Sequence, residues 1–125
     1  MKRAAIYARY SSDLQSDRSV EDQFVICREK ADREGMKIVS EFEDRAKSGA
    51  SMHGRDGLAE MLQAAKAGEF DILIVESLDR ISRSQADLAG TYDALRFANI
   101  GILSVYEGTA DQMQVGIRGM VSALF

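Results

Sequence analysis

Hydrophobic positions along this chain follow two alternating patterns. Short apolar runs rich in β-branched residues occupy Ala4 to Arg9, Lys37 to Phe42, Asp71 to Glu76 and Gly101 to Tyr106. Longer segments between them repeat their apolar residues at three- and four-residue spacing. Strand and helix in alternation predict an α/β domain, a mainly parallel sheet of four to five strands flanked by helices. Residues 71–76, Asp-Ile-Leu-Ile-Val-Glu, are apolar at successive positions, so that strand should be covered on both faces.

The helical segments show their ends. Ser19, followed three residues later by Asp22, is a capping pattern for a first helix whose apolar stripe is Val20, Phe24, Cys27 and Ala31. A second helix carries Leu58, Met61, Leu62 and Ala65 on one face and stops near Gly68. A third runs from about Ser84 to Asn99 with Leu88, Tyr92 and Leu95 as its buried ridge. Residues 111–125 also have helical spacing, in Met113, Ile117, Met120, Val121 and Leu124, but no polar stop. A helix ending this way leaves apolar side chains and carbonyls uncovered, so the chain is expected to be a fragment. Asp44 to Gly54, with two glycines and two serines, is too broken for strand or helix and reads as a mobile surface loop.

Length adds one bound: 125 residues build one core, so a single domain is expected over 1–125. The formal charge of −4 argues against a broadly basic surface, and any polyanion must meet a local cluster. Cys27 and His53 are the only cysteine and histidine, which excludes a disulfide framework and the usual Cys/His metal sets. Both Cys27 and the methionines read as core packing. No apolar run at the start is long enough for a signal peptide or membrane span, so a soluble, cytoplasmic protein without a membrane partner is expected.

In open α/β sheets ligands bind at the carboxyl ends of the strands. The residues falling there are Arg9, Ser11, Ser12 and Gln15 after the first strand, Asp44, Arg45, Ser48 and Arg55 after the second, and Ser77, Asp79, Arg80 and Arg83 after the third. Any one of them alone fits a surface salt bridge, a turn or a helix cap. Together they bring arginines from three loops to one rim, and Arg outnumbers Lys eleven to five in the whole chain. Guanidinium forks suit a phosphate group that must be held and oriented. No glycine-rich phosphate loop of the GxxxxGK[ST] or GxGxxG type opens a helix. The set offers a serine nucleophile and several cations without an evident metal cage; Asp44 and Asp79 are better suited to orienting guanidinium groups than to binding magnesium. Arg9 and Ser11 share a face while the chain stays extended, whereas Ser12 points away.

The motifs "YARYSSDLQ", "SVEDQ", "DRAKSGASMHGRDGL" and "LDRISRS", in this order and spacing, resemble the catalytic domain of the serine site-specific recombinases, the resolvase/invertase family. The resemblance spans nearly the whole chain. It implies that Ser11 is the nucleophile, with Arg9, Arg55, Arg80, Arg83 and Asp79 as catalytic partners. Tyr7, Gln15, Gln23, Asp44 and Ser48 match supporting positions. The DNA phosphate would be bound by Arg9, Arg55, Arg80 and Arg83, with neither metal nor cofactor. The resemblance further implies a 5′-phosphoseryl intermediate, and a homodimer that becomes a tetramer through the long helix begun at about 111–125. A DNA-binding domain would lie outside this chain, leaving it unable to recombine DNA alone. Tyr10 stands where a small β-branched residue is commoner, and the longer "DRAKSG" loop leans toward the large-serine or transposon-type branch; a lysine that some members carry on the second helix has no match, Ala64 taking its place with Lys66 nearby. Two other readings stay open on the residues alone: a phosphate- or nucleotide-binding enzyme on a flavodoxin-like sheet, and a non-catalytic oligomerisation module.

Overall fold

The computed structural model describes residues 1–10, 19–45 and 55–110. Its elements in chain order are β1 (Arg3–Arg9), α1 (Val20–Glu34), β2 (Lys37–Asp44), α2 (Asp56–Lys66), β3 (Ile72–Val75), a 3-10 turn (Leu78–Arg80), α3 (Gln85–Phe97), β4 (Gly101–Ser104) and β5 (Gly108–Ala110). The expected helix over 111–125, the loop residues 46–54 with His53, and Ser11, Ser12, Gln15 and Ser48 lie outside the described residues.

The five strands form one sheet in the order β2-β1-β3-β4-β5. The first four are parallel, and β5 returns antiparallel to β4. The order is that of flavodoxin-like sheets, in which the connections from β1 and β3 leave in opposite directions and open a crevice at their carboxyl ends. The fifth strand is the element with no named segment in the hydrophobic pattern. At three residues, "GTA", it is too short and too small-sided to show one.

Alternation along the strands sorts the core into two layers. Ala5, Tyr7, Leu73, Val75 and Ile102 face α2 and α3, where they meet Leu58, Met61, Leu88 and Leu95. Ala4, Ile6, Ala8, Ile72, Ile74 and Leu103 face α1, against Val20, Phe24, Cys27 and Ala31. The stripe expected for α1 is buried as read, and all four residues of β3 are buried. On α3 the ridge is Leu88, Thr91 and Leu95, with Tyr92 only partly covered. Among the methionines, Met61 is core, whereas Met1 is 90% exposed, because it precedes the sheet with nothing packed on it.

Local capping follows the sequence. Ser19 Oγ accepts the Asp22 N–H at 3.2 Å and starts α1, and Gly35 in the left-handed region at φ 70° ends it. Ser84, accepting from the Asp87 N–H, starts α3.

One irregularity fixes the frame of the site. The β1/β2 register runs Ala4 opposite Ile38, then Ala5 opposite Ser40, so Val39 has no opposite residue. This bulge reverses the facing of β2: Ile38 packs with the α1 layer and Phe42 with the α2 layer, although strict alternation would put them together. It also brings Asp44 opposite Arg9.

Leu73 sits at the centre of the sheet with no exposure. Leu73→Ala is expected to destabilise the chain by about 3 kcal/mol through lost burial and an unfilled cavity. The check is urea denaturation: the midpoint falls while the slope stays constant.

Candidate active site

The site grows from the end of β1. Pairing of β1 with β3 stops at Ile6 opposite Ile74, which leaves the main chain of Arg9 without a β3 neighbour. Gln23 of α1 takes that place: its Oε1 accepts the Arg9 N–H at 3.1 Å, and its Nε2 donates to the Arg9 carbonyl at 2.9 Å. A buried amide thus fixes the backbone two residues before Ser11.

The Arg9 side chain turns inward and is 1% exposed. Its Nε donates to the Arg80 carbonyl at 3.1 Å and its Nη2 to the Asp79 carbonyl at 2.7 Å. Arg55 reaches the same Arg80 carbonyl from the other side, through Nη2 at 3.1 Å. Arg80 completes the cluster by donating from Nη1 to the Arg9 carbonyl at 3.2 Å. Three arginines from three loops therefore meet, as the sequence pattern predicts. They do not line an open rim; Arg55 is 3% and Arg80 9% exposed. Buried guanidinium groups must exchange water for other acceptors, and main-chain carbonyls of the 3-10 turn and of the end of β1 supply them.

Two carboxylates share the burial. Glu76, at the exit of β3, accepts from Arg80 through Oε1, at 3.1 Å from Nε and 2.7 Å from Nη2. It did not stand out in the sequence because it closes an apolar run, although its four-residue spacing from Arg80 was a signal. Asp44 is the second. Its Oδ1 accepts the Gly57 N–H at 2.9 Å and its Oδ2 the Leu58 N–H at 3.0 Å, so a strand residue caps α2 from outside. Tyr7 Oη donates to Asp44 Oδ2 at 2.7 Å and accepts from Arg55 Nη2 at 2.7 Å. Asp44 orients a guanidinium group, as expected, but through the Tyr7 hydroxyl. The Arg55 guanidinium also lies over the Tyr7 ring, 5.6 Å from its centroid.

Burial raises the Tyr7 phenol well above its ordinary value. The Arg55 charge and hydrogen bond oppose the rise, and Asp44 adds to it. The phenol therefore stays protonated and keeps donating to Asp44.

Asp79 and Arg83 are exposed on and just after the 3-10 turn. The structure thus brings together Tyr7, Arg9, Gln23, Asp44, Arg55 and Arg80, and leaves Asp79 and Arg83 facing solvent beside them. Gly57 is a further residue the sequence reading missed. A Cβ there would lie 2.0 Å from the Glu43 carbonyl oxygen, so α2 can approach β2 closely enough for Asp44 to cap it only with glycine at this position. Glycine inside "GRDGL" gave no sign of which strand it would touch.

This is an α/β domain with a buried arginine cluster at the carboxyl edge of its parallel strands, an arrangement suited to stabilising an anion. A family model for the resolvase N-terminal domain matches residues 4–124, and the chain belongs to that family. The resemblance to serine site-specific recombinases read from the four motifs therefore holds. Among solved structures, the N-terminal catalytic domain of TP901-1 integrase is similar at 26% identity and a TM-score of 0.79, over 98% of this chain and 93% of that one. The C-terminal catalytic domain of ISC1926 TnpA, an IS607-like serine recombinase, is also 26% identical, with a TM-score of 0.71 over 98% of this chain and 80% of that one. A resolvase family site-specific recombinase from Streptococcus pneumoniae shares the fold at 24% identity and a TM-score of 0.79, covering 99% and 87% of the two chains. Curated protein sequences gave no match. Among the described residues no helix is long and apolar enough to cross a membrane.

Gly57→Ala should cost about 3 kcal/mol or more by forcing α2 off β2. Gly90→Ala, on the exposed face of α3 with nothing within 4 Å of the new methyl, should instead be neutral or stabilising by up to about 1 kcal/mol. Chemical denaturation of the two variants side by side tests the contrast.

Alkaline stability gives a second test. A group whose pKa is raised by folding holds its proton longer in the folded chain, so its contribution is intact below the ordinary value and is lost as pH rises past it. For Cys27, pushed up to about 12 by burial and by the charge of Glu76, the decline begins near 9.0; for Tyr7 it begins near 10.0. Urea midpoints should fall as pH rises through this range, Cys27→Ala should remove the earlier onset, and Tyr7→Phe should flatten the later part. Tyr7→Phe should also cost about 1–3 kcal/mol at neutral pH by removing the bridge between Asp44 and Arg55.

Proposed function

We propose that this chain is the catalytic domain of a serine site-specific recombinase and that Ser11 attacks a DNA phosphodiester. A bond forms between Ser11 Oγ and phosphorus while the bond from phosphorus to the 3′ oxygen breaks. The departing oxygen leaves as a 3′-hydroxyl, and the 5′-phosphate stays on the serine. After the ends exchange, a 3′-hydroxyl attacks the phosphoseryl ester and releases Ser11. One ester replaces another at each step, so the sequence needs no external energy source.

The observation that carries this reading is the meeting of Arg9 and Arg55 on the Arg80 carbonyl, with the Arg80 side chain donating to the Arg9 carbonyl at the strand end that leads two residues later to Ser11. Among the described residues, these three guanidinium groups are buried with the carboxylates of Glu76 and Asp44 in a region shielded from water, where a charge interaction is strongest. A phosphodiester gains negative charge on its nonbridging oxygens as the serine attacks. Arg9, Arg55 and Arg80, joined by exposed Arg83, are the groups that would stabilise it. Asp79, or an arginine acting through water, is the candidate to take the Ser11 proton. Gln15 and Ser48 act in support, residues 1–125 form the catalytic domain, and 111–125 begin the helix through which dimers and then tetramers assemble. DNA as the substrate is supported by family membership and by the recombinases among the solved relatives.

Ser11→Ala in the full protein is expected to abolish covalent protein–DNA adducts, read by denaturing gel on a labelled site, while DNA binding is retained. Loss of adducts in Ser12→Ala but not in Ser11→Ala would show that the nucleophile is misassigned. Saturable binding of a free mononucleotide at the arginine cluster, with no adduct from any variant, would favour a small-molecule phosphate enzyme instead.

A further inference from the structure

The 3-10 turn Leu78–Arg80 holds the cluster together, because its carbonyls at Asp79 and Arg80 receive Arg9 and Arg55 and its last side chain is Arg80 itself. Three residues make only one short turn, and its leading N–H groups have no partner within it. Ser77, the residue before the turn, gives no side-chain cap. The cap comes from far along the chain: Glu107 Oε1, between β4 and β5, accepts the Leu78 N–H at 2.8 Å.

Glu107 is itself held. Ser104 Oγ donates to Glu107 Oε1 at 2.7 Å and accepts the Glu107 N–H at 3.2 Å. Ser104 is fully buried. The same segment grips the exit of β3 on the other side of Ser77: the Glu76 carbonyl accepts the Tyr106 N–H at 3.2 Å and lies 3.4 Å from the Ser104 oxygen. Both flanks of Ser77 are thus tied to the β4–β5 connection, and the turn cannot shift without breaking those bonds.

We infer that Glu107, braced by Ser104, is a positioning residue for the arginine cluster, acting through the Leu78–Arg80 turn. The inference rests on the recombinase reading of the site. The carboxylate acts at one remove, through its bonds to the Leu78 N–H and the Ser104 hydroxyl. It sets where the Asp79 and Arg80 carbonyls lie, and through them the three guanidinium groups. A displacement of about 1 Å in such a scaffold lowers a rate by up to about 100-fold.

Three variants of the full protein test this: Glu107→Ala, Glu107→Gln and Ser104→Ala. Glutamine keeps an oxygen for the Leu78 N–H and the Ser104 hydroxyl, so Glu107→Gln should form adducts within about threefold of the wild-type rate at saturating DNA. Glu107→Ala should be about 10- to 100-fold slower, with unchanged DNA affinity, and Ser104→Ala intermediate. Native-state hydrogen exchange at the Leu78 amide should quicken in Glu107→Ala and stay protected in Glu107→Gln. Unchanged Leu78 exchange in Glu107→Ala, or quickened exchange with a wild-type cleavage rate, overturns the inference. So does a Glu107→Gln variant as slow as Glu107→Ala. If Glu107→Ala does not fold, Ser104→Ala carries the same two readouts. A wild-type protein that forms no adduct while Leu78 exchange responds as expected refutes the recombinase reading, yet still supports Glu107 as the anchor of the turn.

Discussion

The main-chain carbonyl of Arg80 is the point on which the site depends. It accepts one hydrogen bond from Arg9 and another from Arg55, while the Arg80 side chain returns a bond to the Arg9 carbonyl. Guanidinium groups buried together repel one another and lose their water, and both effects would scatter them without acceptors held at fixed positions. Backbone carbonyls of a turn anchored between packed strands, and of the end of β1, are such acceptors. They carry partial negative charge, they cannot rotate away, and they hold three cations side by side. Glu76 and Asp44 lower the remaining cost, Glu76 by direct contact with Arg80 and Asp44 through the hydroxyl of Tyr7.

Those carbonyls are fixed by the sheet, by the helices packed on it and by the β4–β5 connection. The two apolar layers hold β1 and β3 parallel until they part at the crevice, and Gln23 then takes over as the partner of Arg9 where β3 ends. On the opposite edge, the close contact at Gly57 lets the first turn of α2 donate two N–H groups to Asp44. Arg55, the residue just before that helix, is aimed by its placement against Tyr7. The cluster is rigid because each member is attached to an element that is itself buried.

An acidic domain can therefore gather cations at one point. The chain carries a net charge of −4, yet three of its eleven arginines, Arg9, Arg55 and Arg80, are buried together at one strand edge, where screening by solvent is least.

Much of this was legible in the chain before folding. The apolar runs gave the parallel strands, the spacing of Val20, Phe24, Cys27 and Ala31 gave the buried face of α1, and Ser19 gave its start, because these features rest on local periodicity and capping. The motifs pointed to Tyr7, Arg9, Gln23, Asp44, Arg55 and Arg80 as one set. Folding alone decided how they meet. The bulge at Val39 changes which face Asp44 occupies, and a register shift between distant strands leaves no mark on the periodicity of either. Glu76 and Glu107 are ordinary acids in the sequence. They matter because β3 and the β4–β5 connection lie side by side, so that a carboxylate 29 positions beyond Leu78 can accept its N–H. Whether the arginines lie open to solvent or turn inward was likewise settled by where the nearest carbonyls stand in space.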